Sequence, residues 1–158
     1  LRMAARIATA GPESLELTKR HSRQFLRGIT DFDSDGNYAW KDPRYAPHTY
    51  QFSRAAWVHR DADTYRNLLH GEHVIPVTIV FQRLIRLVEE GASEEELMDF
   101  LEESLIVVWV TVQERKLMDS ELGLSRSMPT GWDWGDDPYS RLVAARIELE
   151  QESPRPIR

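Results

Sequence analysis

The run Leu105-Ile-Val-Val-Trp-Val-Thr-Val112 constrains the fold more than any other stretch of the chain. It is rich in β-branched and aromatic residues and has no polar alternation, which predicts a buried strand, with a buried helix as the competing reading. Helix signals surround it. Upstream, Ile79, Val80, Leu84, Ile85 and Val88 recur at helical spacing, so a helix is expected over 77–90, with Pro76 tolerated in its first turn and Gly91 closing it. Ser93 and Glu96 then form a capping box that opens a second helix through about Ser104, completing a helical hairpin. Thr111 and Glu114 repeat the capping box after the apolar run, and Gly123 is placed to end the helix they start.

A chain of 158 residues suits one domain. These features together predict a mostly helical α+β domain over 13–151 with a small β-hairpin or short antiparallel sheet, and tails at 1–12 and 152–158. The absence of cysteine excludes disulfides and thiolate metal sites, so any metal must use His, Asp, Glu or water. No apolar run approaches the ~18 residues of a membrane span. The basic, amphipathic start, Leu1 to Ala8, lacks the apolar core and cleavage site of a signal peptide, and a soluble, cytoplasmic protein is expected. A net charge of −6 opposes generic binding to nucleic acid, so such binding would need a local basic patch.

One such patch is written into Glu13 to Ile29, which reads as an amphipathic helix with Ser14 as N-cap and Leu15, Phe25, Leu26 and Ile29 as its apolar residues. Lys19, Arg20, Arg23 and Arg27 recur at spacings of three and four on the other side. This stripe is either a solvated helix face or a track for phosphates. Asp31 to Asp42 matches the spacing of a calcium-binding EF-hand loop in part, but Pro43 and Pro47 break the helix that should follow. A β-hairpin with arms at 29–32 and 37–40 is the simpler expectation. Residues 61–69 read as a helix packing through Tyr65, Leu68 and Leu69.

Ser127 to Pro138 is a loop by its Gly and Pro content, yet it carries Trp132, Asp133, Trp134 and Asp136. Aromatics in a loop are either pinned to the body or aimed at a protein partner, with the aspartates as a polar rim. Asp137 and Pro138 are expected to open a last helix in which Leu142, Val143 and Ile147 form the apolar stripe, flanked by Arg141 and Arg146.

Candidate chemistry concentrates at His70-Gly-Glu-His-Val-Ile-Pro76, where two imidazoles and a carboxylate lie just ahead of the best-defined helix. Glu72, His73, Val74, Ile75 and Pro76 give an acid–His pair, two apolar residues and a proline, a pattern that resembles the start of the HNH, or His-Me finger, nuclease motif. The resemblance implies a metal-dependent nuclease with His73 as general base and Glu72 as a ligand to a divalent cation, magnesium or manganese. The helix after the motif offers no further His or Asn ligand, so Glu114 or Asp119 would have to complete the set. Nucleic acid would then be the partner, held by Lys19, Arg20, Arg23 and Arg27. In the bland alternative, Glu72 pairs with an arginine and His73 bonds a backbone carbonyl. A different class of function, a non-catalytic protein-binding or inhibitory module, would use the acidic Trp132–Trp134 loop instead.

Overall fold

The computed structural model describes residues 12–30 and 51–151, with the backbone alone over 12–19. The partial EF-hand match and the hairpin expected at 29–40 fall largely outside the described residues, and Ile29 itself is helical. Seven α-helices are described, in chain order α1 (Pro12–Ile29), α2 (Arg54–Trp57), α3 (Tyr65–Leu68), α4 (Val77–Glu89), α5 (Glu94–Ser104), α6 (Val112–Lys116) and α7 (Ser140–Ala144). Three strands, β1 (Gln51–Phe52), β2 (Leu69–His73) and β3 (Val107–Thr111), form one sheet in the order β1-β3-β2. The protein is therefore mostly helical with a small sheet, as expected. The sheet is mixed rather than antiparallel, because β1 runs parallel to β3 while β2 runs antiparallel to it.

Every residue of β3 is buried, as its uninterrupted apolar sequence demands. Period-two alternation divides its side chains between two cores. Val108 and Val110 join Val77, Val80, Phe81, Met118 and Leu142 in the larger one. Val107 and Trp109 join Phe52, Ala56, Tyr65 and Leu69 in the smaller one. Central placement follows, since only a strand flanked on both edges and covered on both faces buries all five residues.

The helical hairpin forms as its signals direct. Gly91, at φ 83°, lets Ala92 N–H reach Leu87 O at 2.9 Å and Gly91 N–H reach Val88 O at 3.2 Å, which closes α4 in a Schellman turn. Ser93 and Glu96 make both bonds of their capping box at the start of α5. Pro76 lies at the N-cap of α4 rather than inside its first turn.

Other segments depart from expectation. The helix expected over 61–69 is only Tyr65–Leu68, because Leu69 pairs with Thr111 and starts β2. Helix α1 begins at Pro12, so Ser14 is inside the helix rather than capping it. Of the apolar residues read for α1, Leu26 is buried while Phe25 is 63% exposed. Helix α7 is shorter than its apolar pattern suggested: Leu142 and Ile147 are buried, but Val143 is 65% exposed. Its end is another Schellman turn, with Ile147 N–H on Leu142 O at 2.9 Å and Arg146 N–H on Val143 O at 3.0 Å. Arg146 takes the left-handed position there, at φ 55°, where glycine is usual. The chain then runs back along β1, with Arg54 N–H on Glu148 O and Glu150 N–H on Phe52 O.

Candidate functional site: a charged cluster between β2 and the helix after β3

Strand β2 sets the geometry. His70 lies opposite Val110 and Glu72 opposite Val108, so both side chains share the face of the sheet that carries the larger core. Both remain partly exposed, next to the helix that follows β3. That helix starts at the Thr111–Glu114 capping box and passes from α6 into a π-helical turn, Leu117–Glu121, closed by Leu122 N–H on Leu117 O at 3.0 Å. Such turns insert a residue into the helical register and often accompany functional sites. This one buries Met118 completely and turns Asp119 toward Arg141.

Arg141 joins the two elements. Its side chain is 0% exposed, and Nη1 donates to Glu72 Oε1 at 3.0 Å and to the His73 carbonyl at 2.8 Å. Nη2 stands 3.7 Å from Asp119 Oδ1, while Nε and Nη2 have no hydrogen-bond partner among the described residues. Around this centre, His70 Nε2 lies 3.5 Å from Glu72 Oε2, and Arg115 Nε donates to Asp119 Oδ2 at 3.2 Å. One buried guanidinium thus bridges two carboxylates, with a histidine and a second arginine at the margin.

Burial shifts the titration of every group on β2 that can titrate. It pushes the Glu72 carboxyl up, against the charge and hydrogen bond of Arg141, which pull it down. Burial and then the Arg115 charge lower His70, with Asp119 opposing them. His73 is driven down to about 4 by burial, then by the charges of Arg27, Arg141 and His70. Both imidazoles are consequently neutral at neutral pH.

The two histidines differ in what surrounds them. His73 Nε2 lies 3.2 Å from Thr30 Oγ1, and Thr30 spends its own hydroxyl proton on Arg27 O at 2.8 Å, which makes Nε2 the protonated, donating nitrogen. This pins the end of β2 to the end of α1. The His70 side chain is 37% exposed and reaches the surface.

The sequence-derived candidates are only partly assembled here. Glu72 and Asp119 come together through Arg141, and Arg27 lies close enough for its charge to act on His73. Arg20 and Arg27 are exposed and Arg23 is half-buried, so the stripe lies on the outer side of α1; the Lys19 side chain is outside the description. Glu114 is elsewhere. Its Oε2 accepts from Thr111 N at 2.7 Å, Thr111 Oγ1 at 3.0 Å and Ser53 Oγ at 2.7 Å, which fastens the start of α6 to the N-cap of α2. The expected ligand set of Glu72, Glu114 and Asp119 is therefore not brought together, and its two associated members already share a guanidinium. Among the described residues no group of three or more His, Asp or Glu side chains could hold a metal ion. Among the described residues, Glu72 and Asp119 are bridged by a guanidinium and do not fit the divalent cation that the resemblance implies.

The Trp132–Trp134 loop is folded against the body. Trp132 and Trp134 meet edge to face at 5.1 Å, Trp134 meets Phe100 of α5 at 5.2 Å, and both indoles pack on the larger core. Trp132 Nε1 donates to Asp137 O at 3.1 Å, Asp133 Oδ1 accepts from Trp134 N at 2.8 Å, and Asp136 Oδ2 accepts from Asp133 N at 2.8 Å. Asp137 Oδ1 accepts from Tyr139 N at 2.9 Å in the turn before α7, instead of capping the helix itself.

His70 stands in the candidate stretch and Arg141 beside the last apolar stripe, but neither they nor Arg115 are given a role by the motif. A signal existed for the first: on a strand, residues two apart share a face, so His70 pairs with Glu72 once the segment is extended. No family model matches the chain, and no curated protein or solved structure matches it at a significant level. No helix among the described residues is long and apolar enough to cross a membrane.

Proposed function

We propose that the protein is a nuclease-like hydrolase of phosphodiesters and that the cluster on β2 and the helix after β3 is its catalytic centre. One observation carries this reading: the neutral, partly exposed imidazole of His70 lies 3.5 Å from a carboxylate that is itself held by a buried guanidinium. A base, a group that orients it and fixed positive charge are the parts that ester hydrolysis needs. His70, rather than His73, is the base, because His73 Nε2 faces Thr30 whereas His70 reaches solvent. With Nε2 turned to Glu72, His70 Nδ1 takes a proton from the attacking water as its oxygen bonds to phosphorus, the bond from phosphorus to the departing oxygen breaks, and the proton passes on to that oxygen. Arg115 offsets charge on the non-bridging oxygens, and Arg20, Arg23 and Arg27 track the flanking phosphates. Nucleic acid is the partner in this reading. Trp132 and Trp134 are half-buried and pack against Phe100 and the larger core, which favours the hydrolase reading over a protein-binding loop.

Labelled single- and double-stranded DNA and RNA, incubated with the wild-type protein and with His70→Ala, test the proposal. Cleavage by the wild type, at least ~100-fold faster than by an equally folded variant, is expected. No cleavage of any of the four substrates, or equal cleavage by the variant, rejects it.

A further inference from the structure

We infer that the fixed cation of the β2 cluster is the guanidinium of Arg141 and that the cluster takes no divalent ion. Three features of the geometry support this, each independent of whether the site hydrolyses anything. First, Arg141 occupies the place a shared ion would need, 3.0 Å from Glu72 Oε1 and 3.7 Å from Asp119 Oδ1, the two carboxylates that the fold brings together. Secondly, it cannot swing aside. It is fully buried, it precedes the buried Leu142, and its Nη1 is tied to the main chain of β2 through the His73 carbonyl at 2.8 Å. Thirdly, the charges already balance: Glu72 and Asp119 face Arg141 and Arg115, so a divalent ion would add two uncompensated charges to a desolvated place. The remaining acid within reach by sequence, Glu114, has Oε2 engaged by Thr111 and Ser53, away from Arg141.

This assignment deepens the hydrolase reading, since the cation beside Glu72 would then be permanent and supplied by the chain. Arg141 is a positioning residue, acting on His70 through Glu72. An arginine from α7 completes the constellation that Glu72 and Asp119 begin.

Manganese alone is the probe. Added to the wild type up to about 1 mM, an affinity limit of about 4 kcal/mol, it should leave the His70 ring resonances sharp. In Arg141→Ala the two carboxylates lose their cation, so Mn²⁺ should bind at least ~10-fold more tightly and broaden the His70 ring. Guanidinium at low millimolar concentration should raise the melting temperature of Arg141→Ala, and fail to do so in Arg141→Ala combined with Glu72→Gln. Broadening of His70 in the wild type that disappears in Glu72→Gln and Asp119→Asn would overturn the inference, as would an Arg141→Ala protein indifferent to both Mn²⁺ and guanidinium. If Arg141→Ala does not fold, the wild-type titration still decides, because site-specific broadening refutes the inference and its absence supports it. These readouts follow binding. Loss of the hydrolase reading leaves them unchanged, and metal binding by the wild type alongside His70-dependent cleavage would remove only the assignment to Arg141.

Discussion

Acidification should weaken this fold by a defined amount through one side chain, His73. Its ring titrates near 4 in the folded protein against 6.5 for an ordinary histidine, chiefly because it is buried and faces Arg27 and Arg141. As the pH falls through 6.5 the unfolded chain takes up a proton that the folded ring refuses until about 4, so stability is lost across that window and is fully present above it. Between about pH 7 and about pH 4.5 the loss amounts to about 2 kcal/mol. His70 is also lowered and acts in the same sense. Glu72 is raised, so its contribution is present below its unfolded value and lost as the pH rises through its folded one, which partly offsets the histidines. Replacing His73 with Gln keeps an N–H for Thr30 but cannot titrate, and subtracting the two pH profiles largely cancels His70 and Glu72. Urea unfolding followed by tryptophan fluorescence, repeated across this pH range, should show wild type losing about 2 kcal/mol more than the variant. Parallel profiles would refute the account of His73 as a buried ring held neutral.

Three further substitutions probe the scaffold. Glu114→Ala removes acceptors for Thr111 N, Thr111 Oγ1 and Ser53 Oγ together and should cost about 2 kcal/mol in urea unfolding, clearly more than the same change at exposed Glu96. Trp134→Ala strips a half-buried indole from Phe100 and Trp132 and should lower stability by about 2 kcal/mol, read as a drop in melting temperature; an unchanged value would mean the loop is not anchored through that ring. Arg146→Gly relieves a left-handed residue at the Schellman turn and should raise stability by about 1 kcal/mol, with a loss indicating that the Arg146 side chain makes a stabilising contact.

The parts of this fold that could be read from sequence are those whose causes are local. The two capping boxes, the Gly91 turn and the apolar faces of α4 depend on residues within a few positions of one another. Strand β3 was legible for a related reason, because a residue run buried on both faces is apolar throughout whatever its partners are. Pairing partners lie far along the chain and left no such trace: β1 is two residues long, and its parallel pairing with β3 joins Gln51 to Val108. The truncated helix at Tyr65–Leu68 shows a long-range pairing overriding a local pattern, since Leu69 satisfies both periodicities and the ladder to Thr111 decides between them.

The candidate site divides in the same way. Glu72 and His73 stand out because they are adjacent, and the His70–Glu72 pair emerges only when the segment is known to be extended. Arg141 could not be found by periodicity. It sits in a five-residue helix, too short for a stripe to distinguish core from flank, and the groups that it neutralises are contributed by β2 and the π-helical turn. Glu114 shows the converse: a carboxylate read as a metal ligand by position has one oxygen engaged by its own capping box and by Ser53.

The rate of phosphodiester cleavage as a function of pH, measured for the wild type and for His70→Ala, tests the proposed chemistry most directly. Wild-type rates should rise with pH to a plateau, with a midpoint below the ordinary histidine value of about 6.5 because burial and Arg115 lower His70, and the variant should lack that limb. A wild type without activity at any pH, or a variant that keeps the same profile, would contradict the assignment of the β2 cluster as a hydrolytic centre.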